Sequence, residues 1–211
     1  APSNKTYAYM VLPNKTSTQV SSYAANPSSN VLRNDTNVQA VQQKTLGIIG
    51  ANFWTDTLQT VGAKGDANYL SSNKKASVMV KETSTTTEVA VSDPTQANVG
   101  KIQIELNAPS GSVIEQDERV TVTQLYPKTI LTVNVNGSAG ASYSVTFAKP
   151  VVLAADADAY TYSESVTTNY GNDTLLAIKG TSTGTNSRHT FLKFDMSSLT
   201  GASYAKFRVY G

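Results

Sequence analysis

Few side chains in this 211-residue sequence can move a proton near neutral pH. There is one histidine, His189, and no cysteine. Thiolate nucleophiles, disulfides and cysteine-based zinc sites are therefore excluded. A Ser-His-Asp centre would depend on His189 alone. Glycoside hydrolysis needs two opposed carboxylates. The densest acidic stretch, Glu115-Gln116-Asp117-Glu118-Arg119, reads instead as a solvated turn. Asp156 and Asp158 flank Ala157 at the start of a strand. Hard oxygen ligands at alternate positions suit calcium, although polar capping of the strand explains the pair more simply. Gly47-Ile48-Ile49-Gly50 lacks the Lys-Ser/Thr ending of a phosphate loop. None of these groups requires a cofactor, and calcium at Asp156 and Asp158 is the one candidate.

Other residues could hold a ligand by ring stacking or charge. Trp54 is the single tryptophan, but its neighbours Ile49 and Phe53 favour packing between sheets. Tyr160, Tyr162 and Tyr170 offer aromatic faces, and Arg188, His189 and Lys193 could meet a carboxylate. Strand alternation puts His189, Phe191 and Lys193 on one face and Arg188, Thr190 and Leu192 on the other, which scatters the cations.

Composition limits what must position them. Apolar residues make up 39% of the chain, charged residues 15%, and the net charge is +2. That is too uncharged for a disordered segment and suits strands with a Thr, Ser and Asn surface. No basic run marks a nucleic-acid partner or a membrane surface. No apolar run approaches the ~20 residues that span a bilayer. The opening Ala1-Pro2-Ser3-Asn4 is not a signal peptide and reads as an internal start.

The dominant period is two. Lys101 to Leu106 alternates polar and apolar without a break, as a half-buried strand does. The same pattern recurs at Ala76/Val78/Val80, Val89/Val91, Val120 to Thr123, Leu131/Val133/Val135 and Tyr143/Val145/Phe147. Tyr7 to Leu12 is a continuous apolar run, expected as a strand buried on both faces. Asn136-Gly137 signals a hairpin. Thr16 or Ser17 could cap one short helix that presents Val20, Tyr23 and Ala24 and stops before Asn26-Pro27. Beyond Lys149-Pro150, strands are expected at 157–162, 175–179, 190–194 and 205–210. The expected fold class is all-β, antiparallel β-sandwich, with one short helix near residues 17–25.

Several ordered stretches carry a likeness. Tyr7 to Thr16, Leu46 to Trp54, Lys75 to Val80 and Val89 to Gln96 resemble the C-terminal β region of polysaccharide lyase family 8. Ala157-Asp158-Ala159-Tyr160, Thr168-Asn169-Tyr170-Gly171 and Phe191 to Leu199 resemble the opening of a DNRLRE-type jelly-roll carbohydrate-binding module, which implies Tyr170, Arg188 and Lys193 as candidate carbohydrate-binding residues. The resemblance implies three segments. Residues 1–75 would end the central lyase sandwich, 76–150 would form a small C-terminal sandwich, and 151–211 an incomplete module. It also implies a secreted bacterial enzyme that cuts hyaluronan, chondroitin or xanthan by β-elimination. There a uronate carboxylate is neutralised, a base takes the C5 proton, and an acid protonates the leaving oxygen.

In that family the Asn, His, Tyr and Arg side chains of an N-terminal catalytic α/α toroid do most of this work. No catalytic residue transfers to this chain, which is expected to be inactive alone. The implied partners are an acidic polysaccharide, the toroid and the remainder of the module. A stand-alone carbohydrate-binding or cell-surface β-sandwich protein is the alternative.

Overall fold

The computed structural model describes residues 7–63, 66–197, 199 and 205–207. The chain divides into two compact units, Ala1–Lys149 and Pro150–Gly211. In the first, helix α1 (Ser17–Ala25) precedes β1 (Ser29–Asn34), β2 (Val38–Gln43), β3 (Ile48–Phe53), β4 (Gln59–Ala63), β5 (Asp66–Ser72) and β6 (Ala76–Glu82). There follow β7 (Thr86–Ser92), β8 (Lys101–Leu106), β9 (Val113–Gln116), β10 (Val120–Gln124), β11 (Thr129–Asn134) and β12 (Ser142–Ala148). The second unit holds β13 (Ala157–Tyr162) and β14 (Arg188–Lys193).

The first unit is a sandwich. One sheet runs β1-β2-β3-β6-β7-β12-β9 and the other β10-β11-β8-β5-β4. Every second side chain points inward. Ile49, Ala51 and Phe53 of β3 meet Ala76, Val78 and Val80 of β6 in one sheet; Ile102, Ile104 and Leu106 of β8 with Leu131 and Val133 of β11 supply the other. Burying a residue such as Phe53 or Phe147, both with no exposed surface, contributes roughly 1.5–3 kcal/mol. Such burial sets the register, because a slip of one residue would turn each strand's apolar set to water.

Polar ties join the two layers. Buried Tyr69 on β5 donates its hydroxyl hydrogen to Glu82 of β6, and the Lys149 ammonium lies 3.2 Å from the other Glu82 oxygen. Burial pushes the Tyr69 phenol up to about 12. Where the chain crosses from β7 to β8, Asp93 is 1% exposed. Its carboxylate accepts hydrogen bonds from the Thr95 amide (2.9 Å) and hydroxyl (2.7 Å) and from the Asn98 amide (2.8 Å) and side chain (3.0 Å). Asn98 also donates to the Lys75 carbonyl, so the crossover is pinned to the start of β6.

All four strands at the sheet margins carry a break in register. The breaks fall at Val31/Arg33 of β1, Val61/Ala63 of β4 and Val122/Gln124 of β10, and between β12 and β9 at Thr146/Phe147. The interior pairs β2–β3, β3–β6, β6–β7, β7–β12 and β8–β11 run without one.

Several expectations need correction. No division exists at residue 75, because β3 pairs with β6 and β5 with β8 across it. Residues 29–148 form one sandwich, whose sheets each mix strands from both halves. Asn136-Gly137 is not a hairpin: β11 and β12 lie in different sheets. Of the two residues only Gly137 has positive φ (+65°), and the Ser138 amide donates to the Val135 carbonyl. A type I′ hairpin needs positive φ at both central positions; positive φ at the second alone is the type II pattern, and here it turns the chain from one layer to the other.

Residues 7–12 form no strand, and Tyr7 and Tyr9 are 86% and 80% exposed. The run has the composition of a buried strand but no partner strand among the described residues. The helix forms as expected, with a reciprocal Thr16–Gln19 capping box, but none of its residues is buried. Between residues 175 and 179 only Lys179 pairs, as a bridge to Arg188. The strand expected at 205–210 lies largely outside the described residues.

The hydrogen bonds to Asp93 more than offset its burial, which would raise its pKa, and hold the carboxyl below its ordinary value. The stabilisation is complete above the unfolded value of about 3.9 and is lost as pH falls through the folded value. Asp93→Ala should lower the unfolding free energy at pH 7 by roughly 2–3 kcal/mol in urea denaturation. The variant should also lose less stability than the parent between pH 7 and about pH 2.5. Equal losses would show that Asp93 is not the responsible group.

Candidate functional site

The residues with sugar-binding chemistry converge on the β13–β14 ribbon. Its register is continuous, with Tyr160 opposite Thr190 and Tyr162 opposite Arg188. Alternation therefore places Asp158, Tyr160, Tyr162, Arg188, Thr190 and Leu192 on one face. Tyr170 returns from the following loop to stack on Tyr160, with ring centroids 4.3 Å apart and planes inclined by 23°. The Arg188 guanidinium carbon lies 4.2 Å from the centre of the Tyr162 ring, a cation–π contact. Main-chain hydrogen bonds to Lys179 hold Arg188 from the other side, and the Thr190 hydroxyl donates to the Ala177 carbonyl.

Two carboxylates brace the tyrosines. The Tyr160 hydroxyl donates to Asp173 at 2.7 Å and that of Tyr162 to Glu164 at 2.6 Å. Each carboxylate accepts a hydrogen bond from the neutral phenol and so raises the pKa of its tyrosine. Asp173 and Glu164 were not singled out from the sequence. Glu164 follows its tyrosine by two residues, but Asp173 lies 13 residues beyond Tyr160, so only Glu164 had a local sign. Among the described residues Arg188 makes one side-chain hydrogen bond, to Asn186 at 3.3 Å, which leaves most of its N–H fork open toward a carboxylate there. With Asp158, Glu164 and Asp173 nearby, the local field is not positive. Recognition here would rest on ring stacking and directed hydrogen bonds.

The structure brings Tyr170 and Arg188 together and leaves Lys193 apart. Lys193 is exposed on the opposite face with His189 and Phe191. Asp156 and Asp158 are both exposed, and the Asp156 amide extends the ribbon by donating to the Lys193 carbonyl. No group of three acidic or histidine side chains placed to hold a metal ion occurs among the described residues. Calcium takes six to eight oxygens, so two exposed carboxylates do not by themselves fit the ion.

Residues of the first unit behave differently. Glu115 and Glu118 are exposed, Asp117 accepts from the Ser144 amide at 2.6 Å, and Arg119 caps the carbonyls of Asn134 and Asn136. That stretch is a strand end and turn with no opposed pair. Trp54 is not packed between the sheets. It follows buried Phe53, is 38% exposed, and donates its indole N–H to Gln39 at 2.6 Å. Its apolar neighbours misled because alternation sends adjacent residues to opposite faces.

Comparison with known proteins gives two matches. Residues 30–102 match the polysaccharide lyase family 8 C-terminal β-sandwich domain, and residues 149–211 match carbohydrate-binding module family 96. A xanthan lyase from Bacillus sp. (strain GL1) is 52% identical over 147 residues, covering 69% of this chain and 15% of the relative. A hyaluronate lyase from Enterococcus faecalis is 31% identical over 144 residues, covering 68% and 13%. Among solved structures, a Paenibacillus xanthan lyase aligns with a TM-score of 0.62 at 36% identity, over 87% of this chain and 17% of that one. A Streptomyces coelicolor A3 chondroitin AC lyase aligns with a TM-score of 0.57 at 26% identity, over 64% and 17%. The chain thus spans less than a fifth of the length of these relatives. It belongs to the C-terminal β region of polysaccharide lyase family 8, followed by a carbohydrate-binding module of family 96.

Proposed function

We propose that this chain is the non-catalytic β-sandwich portion of a secreted bacterial lyase that cuts an acidic polysaccharide by β-elimination, and that its second unit holds the glycan. The carrying observation is the stacked Tyr160–Tyr170 pair on the same ribbon face as the Tyr162-supported Arg188. Tyrosine rings suit the apolar C–H face of a sugar, and a guanidinium fork suits a uronate carboxylate. The relatives named as xanthan, hyaluronate and chondroitin lyases supply the substrate class. In this reading proton transfer belongs to a catalytic toroid elsewhere in the enzyme, in keeping with a first unit that has no histidine. The first unit then acts as scaffold for that domain.

The full chain incubated with xanthan, hyaluronan or chondroitin should give no rise in the near-ultraviolet absorbance of unsaturated uronate ends. A rise would overturn the non-catalytic reading.

In affinity gels containing each polysaccharide, Tyr170→Ala or Arg188→Ala should weaken retention by about tenfold, the worth of one well-made contact. Lys193→Ala should change it little. Retention unaffected by Arg188→Ala would remove the binding face from this account. Glycan retention needs no cofactor in this reading, so a chelator should leave mobility unchanged. A calcium-dependent shift would return Asp156 and Asp158 to the site.

A further inference from the structure

The solvent face of the seven-stranded sheet is not a uniform polar surface. Register pairing lines up one row straight across five strands and into a sixth: Val31, Val41, Gly50, Met79, Ala90 and Ser144. Val31, Val41 and Met79 are 50%, 54% and 40% exposed. Beside it runs a second row, Asn34, Gln39, Asn52, Ser77, Ser92 and Ser142, every member an uncharged amide or hydroxyl. All of these except Ser144 line an open trough of about 570 Å³. At a strand spacing of ~4.8 Å, six strands make it roughly 24 Å long.

Gly50 is the anomaly. Glycine in a strand interior weakens the strand, and it commonly marks a bulge, a tight bend or the close approach of a ligand. No bulge is present, because pairing is continuous through Gly50 on both sides. Its φ is not positive, and a Cβ built there would meet nothing within 4 Å. Neither backbone conformation nor packing demands glycine, and close approach remains.

We infer that this trough is a second glycan-binding site, one that seats a sugar chain by its hydroxyls and ring faces rather than by charge. A strip one residue wide fits a single extended chain. Its small floor admits the apolar face of a ring, and the adjacent amides and hydroxyls match equatorial hydroxyls. The trough has little charge to offer. The Arg33 guanidinium at its end is already bound to Asp35 (2.7 Å), Gln59 (2.9 Å) and the Thr60 carbonyl (3.0 Å). A sheet face also presents no free main-chain edge, so an added peptide strand has nothing to pair with. Trp54 lies on the same face beyond Asn52, tethered to Gln39 of the polar row.

This site belongs to the first unit and does not rest on the reading of the second. Trp54 is the only tryptophan in the chain, so its fluorescence reports on the trough through the hydrogen bond to Gln39. Titrating the full chain with hydroxyethyl cellulose, a soluble neutral glucan, should give a saturable change in emission that salt barely alters. Gly50→Val fills the floor and should weaken binding at least about tenfold while leaving the thermal midpoint unchanged or raised. Asn52→Ala, which keeps the strand intact, should weaken it about three- to tenfold. Arg188→Ala should leave this titration unchanged, which separates the trough from the ribbon. No saturable change with the neutral glucan would overturn the proposal. So would folded Gly50→Val and Asn52→Ala proteins that titrate like the parent, or a signal that tracks protein concentration alone, the mark of self-association.

Discussion

A strand between water and a second sheet can remove only every other side chain from solvent. In the first unit that constraint assigns each position a task. The inward set, from Val38 to Phe147, is almost wholly aliphatic or aromatic and closes the interior. The outward set is thereby released from packing and can be chosen for what it offers a ligand. Fidelity of register links the two tasks. The same pairing that layers Ile49, Val80 and Val89 against the opposite sheet aligns Gly50, Met79 and Ala90 across the outer face.

The two units solve the problem at different scales. The sandwich buries its apolar surface between many strands. The ribbon has only β13 and β14 among the described residues, and a lone two-stranded hairpin is marginal in water. Its side chains are correspondingly held by local ties. Tyrosine rings stack, carboxylates accept their hydroxyls, and a guanidinium covers an aromatic face. These ties also orient the groups that a sugar would meet.

Period two made most of the sandwich legible in the sequence. Strands such as 101–106 and 142–148, and the helix with its cap, follow from local pattern and side-chain chemistry. What stayed hidden was pairing between distant segments. Asn136-Gly137 has hairpin residues, yet which sheet receives β12 depends on Val89 and Val91 across the fold rather than on the turn. The sandwich spanning residue 75 was illegible for the same reason, since no local signal says that β3 and β6 are neighbours. In the candidate site, alternation correctly separated Arg188 from Lys193. The stacking of Tyr170 on Tyr160 could not be read, because it depends on a loop returning to its own strand. Trp54 went astray because sequence neighbours were taken for spatial ones.

The irregular margins of the two sheets have a further consequence. A strand arriving laterally from another molecule must match several successive amides to be held. At each margin it would fall out of step where the register breaks. Run-on growth from one sandwich to the next is thereby suppressed. A chain of such β-rich units can therefore be strung together, or crowded on a polymer, without zippering into fibrils. Its faces remain the surfaces through which it can meet other molecules.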